Sequence, residues 1–245
     1  MMRRFSNLIS RVEDSLYFSR DSRKYVPPIL RSLYIVVKEI IVPPSPEPII
    51  ARFSMEALRS GDTVIEVGAR TGGTTRVISE IIGENGTLFS LEPNPFCIGI
   101  LVRNTRGMRN VRILNIAAFS ENGFFDLNIN SIYDGAASLV TKYGWKQKRV
   151  RAMKLDDIAE LHQIQRVDAL ILDAEGSEFE ILRGSSRLLK DIRSIIVEFH
   201  HSLNPRGVAA AEELLKKDGF ELTKIKIESY RPSVYVCLYT NITKI

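Results

Sequence analysis

The chain from Gly61 onward alternates short apolar runs with longer stretches in which apolar residues recur at helical spacing. Apolar runs bounded by glycine or polar residues predict strands, and the helical spacing predicts helices packed on a sheet. Strands are predicted at 62–67, 87–92, 111–115, 167–173, 193–199, 220–227 and 233–240, and helices at 73–82, 95–105, 177–190 and 206–218. This alternation predicts an α/β fold, doubly wound around a mainly parallel seven-stranded sheet.

The last two predicted strands are expected to run antiparallel to each other. Only residues 228–233 separate them, whereas a parallel crossover takes about a dozen residues or more. The sheet should therefore contain one reversed strand. Between the third and fourth parallel strands lies an insertion at about 123–154, with predicted strands at 124–129 and 149–153.

Residues 1–60 are predicted to form an N-terminal helical extension ahead of the domain at 61–245. Apolar residues at helical spacing cover 29–41, a proline-rich stretch follows at 42–48, and a short helix is predicted at 49–59. Two interpretations stay open for this extension. It forms a cap over a ligand pocket, or it is a packing arm through which the protein forms a homo-oligomer.

Composition narrows the class of protein only modestly. The 245 residues are 44% hydrophobic and 26% charged, as is usual for a globular domain, and the net charge is +5. A basic balance leaves nucleic-acid binding open without favouring it, because the one dense basic stretch is 142–154. The chain has two cysteines, and it lacks a secretory signal and an apolar run of about 18 residues. We therefore expect a cytoplasmic protein without a transmembrane segment.

A glycine-containing loop after the first strand is the first candidate ligand site. Glu66 lies near the end of the strand, and Gly68 and Gly72 permit positive φ and close approach of a ligand. The next helix would present its free N–H groups to polar or anionic ligand atoms. A dinucleotide fingerprint would need glycine at position 70, where the chain has Arg70. An ordinary strand–helix turn is the alternative.

A second acid closes the next strand. Glu92 is expected at the tip of the second strand, where an acid typically accepts hydrogen bonds from ribose hydroxyls. Nucleotide oxidoreductases and methyltransferases both use such an acid. The pair Glu66 and Glu92 therefore predicts a nucleoside ligand rather than a particular reaction.

Several linked phrases then resemble the FkbM-type family of S-adenosylmethionine (SAM) dependent methyltransferases, over roughly residues 62–201. The phrases are Glu66-Val67-Gly68-Ala69-Arg70-Thr71-Gly72, Leu91-Glu92-Pro93-Asn94-Pro95, Asn115-Ile116-Ala117-Ala118, Met153-Lys154-Leu155-Asp156-Asp157, Leu172-Asp173-Ala174-Glu175-Gly176-Ser177-Glu178 and Val197-Glu198-Phe199-His200. The resemblance implies a class I, Rossmann-like methyltransferase that moves a methyl group from SAM to a hydroxyl of a small molecule, sugar or glycan.

The resemblance and the strand ends together give the expected cofactor site. Its residues are Glu66, Gly68, Ala69, Arg70, Thr71, Gly72, Thr75, Glu92, Pro93, Asn94, Asn115, Ala117, Ala118 and Asp173. The family pattern usually has aspartate where this chain has Glu66 and asparagine where it has Arg70. Glu66 keeps a carboxylate that can accept hydrogen bonds. Arg70 is expected to change the loop geometry or to contact the cofactor carboxylate.

Four residues at the ends of the fourth and fifth parallel strands are the catalytic candidates. Asp173 is expected to orient the acceptor or accept its proton, with Glu175 sharing that task. Glu198 and His200 lie at the next strand end, and the imidazole is a candidate general base. Glu178 is interpreted as a helix cap. Two acids and a histidine would permit a divalent ion, but no metal site is predicted, because Mg²⁺ prefers an oxygen-rich shell.

Three functions follow from the sequence. The first is an O-methyltransferase for a small-molecule, sugar or glycan acceptor. The second is an RNA methyltransferase of the same fold, suggested by the basic balance. The third is a non-catalytic module that binds SAM and acts through partners.

Overall fold

The computed structural model describes residues 44–129, 137–140, 146–228 and 233–244. Ser45–Ile245 forms one compact unit. The helix predicted at 29–41 lies outside the described residues, as does the first part of the basic stretch at 142–145. Among the described residues, every helix is too short or too polar to cross a membrane.

The strands are β1 (Thr63–Val67), β2 (Thr87–Leu91), β3 (Val111–Leu114), β4 (Ala117–Ala118), β5 (Gly123–Ile129), β6 (Ala137–Ser138), β7 (Lys146–Met153), β8 (Ala169–Leu172), β9 (Ser194–His200), β10 (Phe220–Ile227) and β11 (Val234–Asn241). The helices are α1 (Pro48–Ala57), α2 (Gly73–Ile82), α3 (Pro95–Asn104), α4 (Leu155–Leu161), α5 (Glu178–Arg183) and α6 (Pro205–Lys217).

The main sheet has the order β10-β11-β9-β8-β1-β2-β3. β1, β2, β3, β8 and β9 pair in parallel, and β11 runs antiparallel to both β9 and β10. All residues of β8 and β9 are buried, which fits continuous apolar runs covered by helices on both faces. The predicted fold, including the reversed strand, is confirmed.

The insertion forms a second, smaller sheet with the order β4-β7-β5-β6. β7 begins at Lys146, ahead of the predicted start at 149. Its first residues are half exposed and basic, so they give no apolar signal for a strand. β4 joins this sheet through its parallel pairing with the end of β7, where Ala118 lies opposite Met153.

The helix predicted at 177–190 is shorter in the structure. α5 ends at Arg183, and only a single 3-10 turn follows, at Leu188–Lys190. Gly184 is the C-cap of α5, and its backbone packs on Phe119, where an added Cβ would lie 2.3 Å from the carbonyl oxygen. Asp156 then caps the 3-10 turn by accepting the N–H of Leu188 at 2.9 Å.

Helix α1, which the sequence analysis placed in the N-terminal extension, packs against the domain. Ile50 and Phe53 are buried in one cluster with Ile78 and Ile82 of α2. The segment before α1 crosses the start of α2, where a Cβ on Gly73 would lie 2.2 Å from the carbonyl oxygen of Ser45. α1 therefore belongs to the framework that holds the first glycine loop.

Candidate active site

A cavity opens at the carboxyl ends of β1, β2 and β8. The loops after these strands form one side, and β4, β5 and β6 of the second sheet contribute to the other. Ligands of doubly wound sheets bind at this edge. Of the residues predicted from the sequence, the cavity is lined by Gly68, Arg70, Glu92, Pro93, Asn94, Ala117, Ala118, Asp173 and Glu175.

The first loop passes very close to the loop after β8. Gly68 has φ +92°, and an added Cβ would lie 1.9 Å from the carbonyl oxygen of Asp173. Arg70 also has positive φ, at 47°, which is uncommon for a residue with a side chain. Its N–H donates to Glu92 Oε2 at 2.7 Å, so the strained turn ties the first loop to the second acid. Ala69, Thr71, Gly72 and Thr75 do not line the cavity.

Replacing Gly68 with alanine is expected to destabilise the fold and weaken cofactor binding. The new methyl group meets fixed backbone, in addition to the roughly 1–2 kcal/mol cost of a left-handed conformation. Thermal denaturation and calorimetric titration with SAM measure both effects. Gly61→Ala is the matched control for φ alone, because Gly61 has φ +89° and no atom within 4 Å of its added Cβ.

A third variant completes this test. Gly99 lies in α3 with open space around an added Cβ, so Gly99→Ala should be neutral or stabilising by up to about 1 kcal/mol. Equal losses for Gly68→Ala and Gly61→Ala would show that the close approach to Asp173 is unimportant.

Glu66 does not reach the cavity, contrary to its expected contact with the cofactor. Its Oε2 accepts hydrogen bonds from Thr75 Oγ1 at 2.7 Å and from Ser90 Oγ at 2.8 Å. Burial raises the pKa of Glu66 to about 7, although these two hydrogen bonds oppose the shift. The carboxyl group connects β1 to β2 and α2, so it supports the loop from behind.

Glu92 lies at the cavity with both carboxylate oxygens held by backbone donors. Oε1 accepts the N–H of Asn94 at 2.7 Å, and Oε2 accepts the N–H of Arg70. Burial raises the pKa of Glu92 to about 7 against these hydrogen bonds. Each carboxylate oxygen has a further lone pair, so Glu92 can still accept ligand hydroxyls. Asn115 lies behind it, donating from Nδ2 to the Glu92 carbonyl oxygen at 2.8 Å.

Two buried polar atoms beside the cavity have no hydrogen-bond partner among the residues that the structure describes. Asn94 accepts the N–H of Phe96 through Oδ1 at the start of α3, but its Nδ2 is unsatisfied. Ser177 Oγ is also unsatisfied, and both residues line the cavity. Unpaired buried polar groups are uncommon, so these atoms indicate positions where a ligand completes the hydrogen bonds.

The catalytic candidates form one cluster of charge at the ends of β8 and β9. His200 Nδ1 lies 3.0 Å from Glu178 Oε1, and Nε2 lies 3.3 Å from Glu175 Oε2, 3.4 Å from Glu198 Oε1 and 4.0 Å from Asp173 Oδ1. Asp173 is 33% exposed and Glu175 is 13% exposed, whereas His200 and Glu198 are buried beneath them.

This cluster changes the role expected for His200. Burial alone would lower its pKa, but the nearby carboxylates of Glu178, Glu198, Asp173 and Glu175 favour the charged imidazolium and raise the pKa to about 11. An imidazole protonated at neutral pH has no lone pair with which to accept a proton. This arrangement therefore favours a charged His200 over the general base expected from the sequence.

Of the catalytic candidates, Asp173 and Glu175 line the cavity. Burial raises the pKa of Asp173 well above its usual range, and the charge of Glu198 adds to this while His200 opposes it. Water in the cavity screens part of this effect, because a third of the side chain is exposed. Glu178, the first residue of α5, accepts the N–H of Gly176 at 2.9 Å and also holds His200.

Sequence reasoning missed the residues that the second sheet brings to the cavity. Leu127 of β5, Ala137 of β6 and Leu139 line it, together with Cys97 and Ile181 from the helices. The apolar residues of the insertion were the available signal, but the pattern gave no indication that this sheet lies over the cavity. Ser177 was quoted in a motif without a predicted role.

The sheet order and the cavity at its carboxyl edge match the class I methyltransferase fold, whose cofactor is SAM. A family model described as "Methyltransferase FkbM domain" matches residues 66–222, more than half of the chain. The chain belongs to this family.

Curated relatives and a solved structure agree with this class. The chain is 24% identical over 160 residues to the hexuronic acid methyltransferase AglP of Haloferax volcanii, covering 65% of this chain and 64% of that protein. It is 29% identical over 163 residues to the tRNA (adenine(58)-N(1))-methyltransferase TrmI of Thermus thermophilus, covering 64% of this chain and 62% of that protein. The chain thus spans less than two thirds of either relative.

The solved structure shares the fold at low identity. Fibrillarin of Aeropyrum pernix, in complex with natively bound SAM, superposes with a TM-score of 0.51 at 13% identity. The match covers 79% of this chain and 74% of that one.

Proposed function

We propose that the protein transfers a methyl group from SAM to a hydroxyl of a small-molecule, sugar or glycan acceptor. The observation that carries the proposal is the position of the Asp173 carboxylate. The Asp173 side chain lines the cavity. Its backbone N–H donates a hydrogen bond to the carbonyl oxygen of Val67, directly before the first glycine loop, at 3.0 Å. A potential proton acceptor therefore lies directly beside the loop that defines the cofactor end of the cavity.

The residues that line the cavity fit SAM. Gly68 offers close backbone approach, Glu92 offers free lone pairs for ribose hydroxyls, and Asn94 Nδ2 offers an unused donor. Ala117 and Ala118 leave a small, flat wall suited to the adenine ring. Glu66, Thr75 and Asn115 act from behind by fixing the loops. When bound, SAM supplies an electrophilic methyl group.

The acceptor half of the chemistry falls to Asp173 and Glu175. An aliphatic hydroxyl is a weak nucleophile and needs a group that orients it and takes its proton. Asp173 performs both tasks in this proposal, and Glu175 contributes charge on the same side of the cavity. The apolar residues Leu127 and Leu139 limit water at the reacting atoms.

An acceptor panel tests the proposal. The protein is incubated with radiolabelled SAM and, separately, with neutral glycans, uronic acid glycosides, small hydroxylated compounds and transfer RNA. The name of the AglP relative supports the uronic acid arm, and that of the TrmI relative supports the RNA arm. Label in a base-stable ether of a glycan or small molecule supports the proposal. Label only in RNA, lost steeply as salt rises, would replace it.

Replacing Glu92 with glutamine is expected to weaken SAM binding about 10- to 100-fold. The change removes a charged acceptor and leaves the N–H of Arg70 or Asn94 without a carboxylate partner. Such hydrogen bonds contribute about 1.5–3 kcal/mol, and each 1.4 kcal/mol is a factor of about ten. Calorimetric titration measures the change, with Glu84→Gln on the exposed turn after α2 as control.

The pH dependence of binding adds a second measurement. The pKa of Glu92 is about 7, so the stronger, charged acceptor forms as pH rises through that value. Wild-type affinity should rise from about pH 6 to about pH 8, and the glutamine variant should lose most of that rise. An unchanged pH profile in the variant would exclude Glu92 as the titrating acceptor.

A further inference from the structure

One nitrogen in the cluster below the cavity is not used by the fold. His200 Nε2 is buried and has no hydrogen-bond partner within the described part of the chain, and the side chain is only 3% exposed. The atom nevertheless faces oxygens of Glu175, Glu198 and Asp173 at 3.3, 3.4 and 4.0 Å. These separations exceed the usual 2.7–3.2 Å of a nitrogen–oxygen hydrogen bond.

The spacing instead matches that of ligands around a metal ion. Atoms that each lie about 2.1 Å from one ion stand roughly 3.0–4.2 Å from one another. One ligand atom each from Asp173, Glu175 and His200 falls within 4.8 Å of the other two. These three residues therefore bring one possible ligand atom each close enough together to share one ion.

The other nitrogen of His200 is arranged as in metal-binding histidines. Nδ1 lies 3.0 Å from Glu178 Oε1, and Glu178 is itself fixed by the N–H of Gly176. Metal-ligating histidines usually donate their second ring N–H to a carboxylate, which fixes the tautomer and orients the ring. With the proton on Nδ1, the lone pair of Nε2 points toward Asp173 and Glu175.

We propose that Asp173, Glu175 and His200 bind a divalent cation at the edge of the cavity. One imidazole and two carboxylates suit a first-row ion such as Mn²⁺, with water or the acceptor completing the shell. The buried carboxylate of Glu198 adds negative charge 3.4 Å from Nε2, which favours any cation there. The ion displaces the proton from Nε2 into solvent.

The consequence for catalysis rests on the proposed function. An ion held by Asp173 and Glu175 faces the part of the cavity that we assign to the acceptor. A bound divalent ion lowers the pKa of a hydroxyl that binds to it and orients its oxygen. The sequence favoured no metal because it showed only residue types, whereas the geometry shows an unsatisfied nitrogen among carboxylates.

Binding of Mn²⁺ to the full-length protein tests the inference directly. The protein is stripped with a chelator and titrated with Mn²⁺ in the absence of SAM and acceptor, with free ion measured by electron paramagnetic resonance. We expect one saturable site per chain. Glu175→Gln should weaken it by at least about tenfold, and Glu178→Gln, which acts through His200, by about 10- to 100-fold. Asp126→Asn, on the exposed side of β5, should leave it unchanged.

Glu175→Gln is the main variant because its side chain is partly exposed, whereas His200→Gln changes a fully buried group and risks unfolding. No saturable site in the wild type, or equal affinity in Glu175→Gln, overturns the inference. If the protein does not bind Mn²⁺ and still transfers methyl groups in chelator, the metal site is excluded and the proposed function stands. If the protein binds Mn²⁺ as expected but transfers no methyl group to any hydroxyl acceptor, the proposed function is excluded and the metal site stands.

Discussion

Replacing Asp173 with asparagine is expected to lower the rate of methyl transfer about 10²- to 10⁴-fold, the usual contribution of a positioned proton acceptor. Asparagine keeps the size of the side chain and one oxygen acceptor but cannot take a proton. The affinity for SAM should change little, because the Asp173 backbone contacts to Val67 and Gly68 do not depend on the carboxylate. Single-turnover rates and calorimetric titration separate the two quantities.

Two comparisons make this result interpretable. Asp126→Asn, exposed on β5, controls for the loss of one carboxylate elsewhere and should keep full turnover. Mn²⁺ titration of Asp173→Asn separates loss of the proton acceptor from loss of an ion. An Asp173→Asn enzyme with wild-type turnover would remove Asp173 from the chemistry, and a large loss of SAM affinity would assign it to cofactor binding.

The sequence predicted the fold well because its strongest signals are geometric. A linker of the length of 228–233 cannot carry a parallel crossover, so β10 and β11 had to be antiparallel whatever their contacts. Glu92 was placed correctly for a similar reason, since the tip of the second strand adjoins the first in a doubly wound sheet.

The site was harder to predict where side-chain direction decides the outcome. Successive strand residues point to opposite faces, so a shift of one position moves an acid from the ligand side to the core. Val67 lines the cavity, whereas Glu66 turns toward Thr75 and Ser90. The sequence showed an acid before a glycine loop and could not show which way it points.

The role of His200 depends on residues that are distant in the chain. Its pKa is set by Glu175 and Glu178 after β8 together with Glu198 on its own strand. The sequence placed these acids at neighbouring strand ends but could not show that they converge on one imidazole. A histidine considered by itself suggests a general base. Among carboxylates, the same side chain is favoured as a protonated imidazolium or as a metal ligand.

The largest effect on stability is expected at the opposite edge of the sheet, where Arg193 precedes β9. Its guanidinium lies 2.7 Å from Asp62 Oδ2 and 3.9 Å from Asp168 Oδ1, and all three side chains are about nine-tenths buried. Arg193→Met should lower the free energy of unfolding by about 3–5 kcal/mol, because it leaves the buried carboxylate of Asp62 without its cation, whereas Asp168 keeps its pair with Arg166. Urea denaturation measures the change.

An exposed ion pair provides the control for this prediction, and SAM binding distinguishes a loss of stability from a loss of function. Arg52 pairs with Glu56 at the surface, where its side chain is 72% exposed, so Arg52→Met should cost no more than about 0.5 kcal/mol. Asp62→Ala combined with Arg193→Met should cost less than the sum of the single changes, because both remove one pair. A loss below about 1 kcal/mol for Arg193→Met would mean that water or backbone replaces the guanidinium.

Asp62, Asp168 and Arg193 all lie at the amino ends of strands, away from the cavity. The folded variant should therefore bind SAM with wild-type affinity, which distinguishes the framework of the sheet from its active edge.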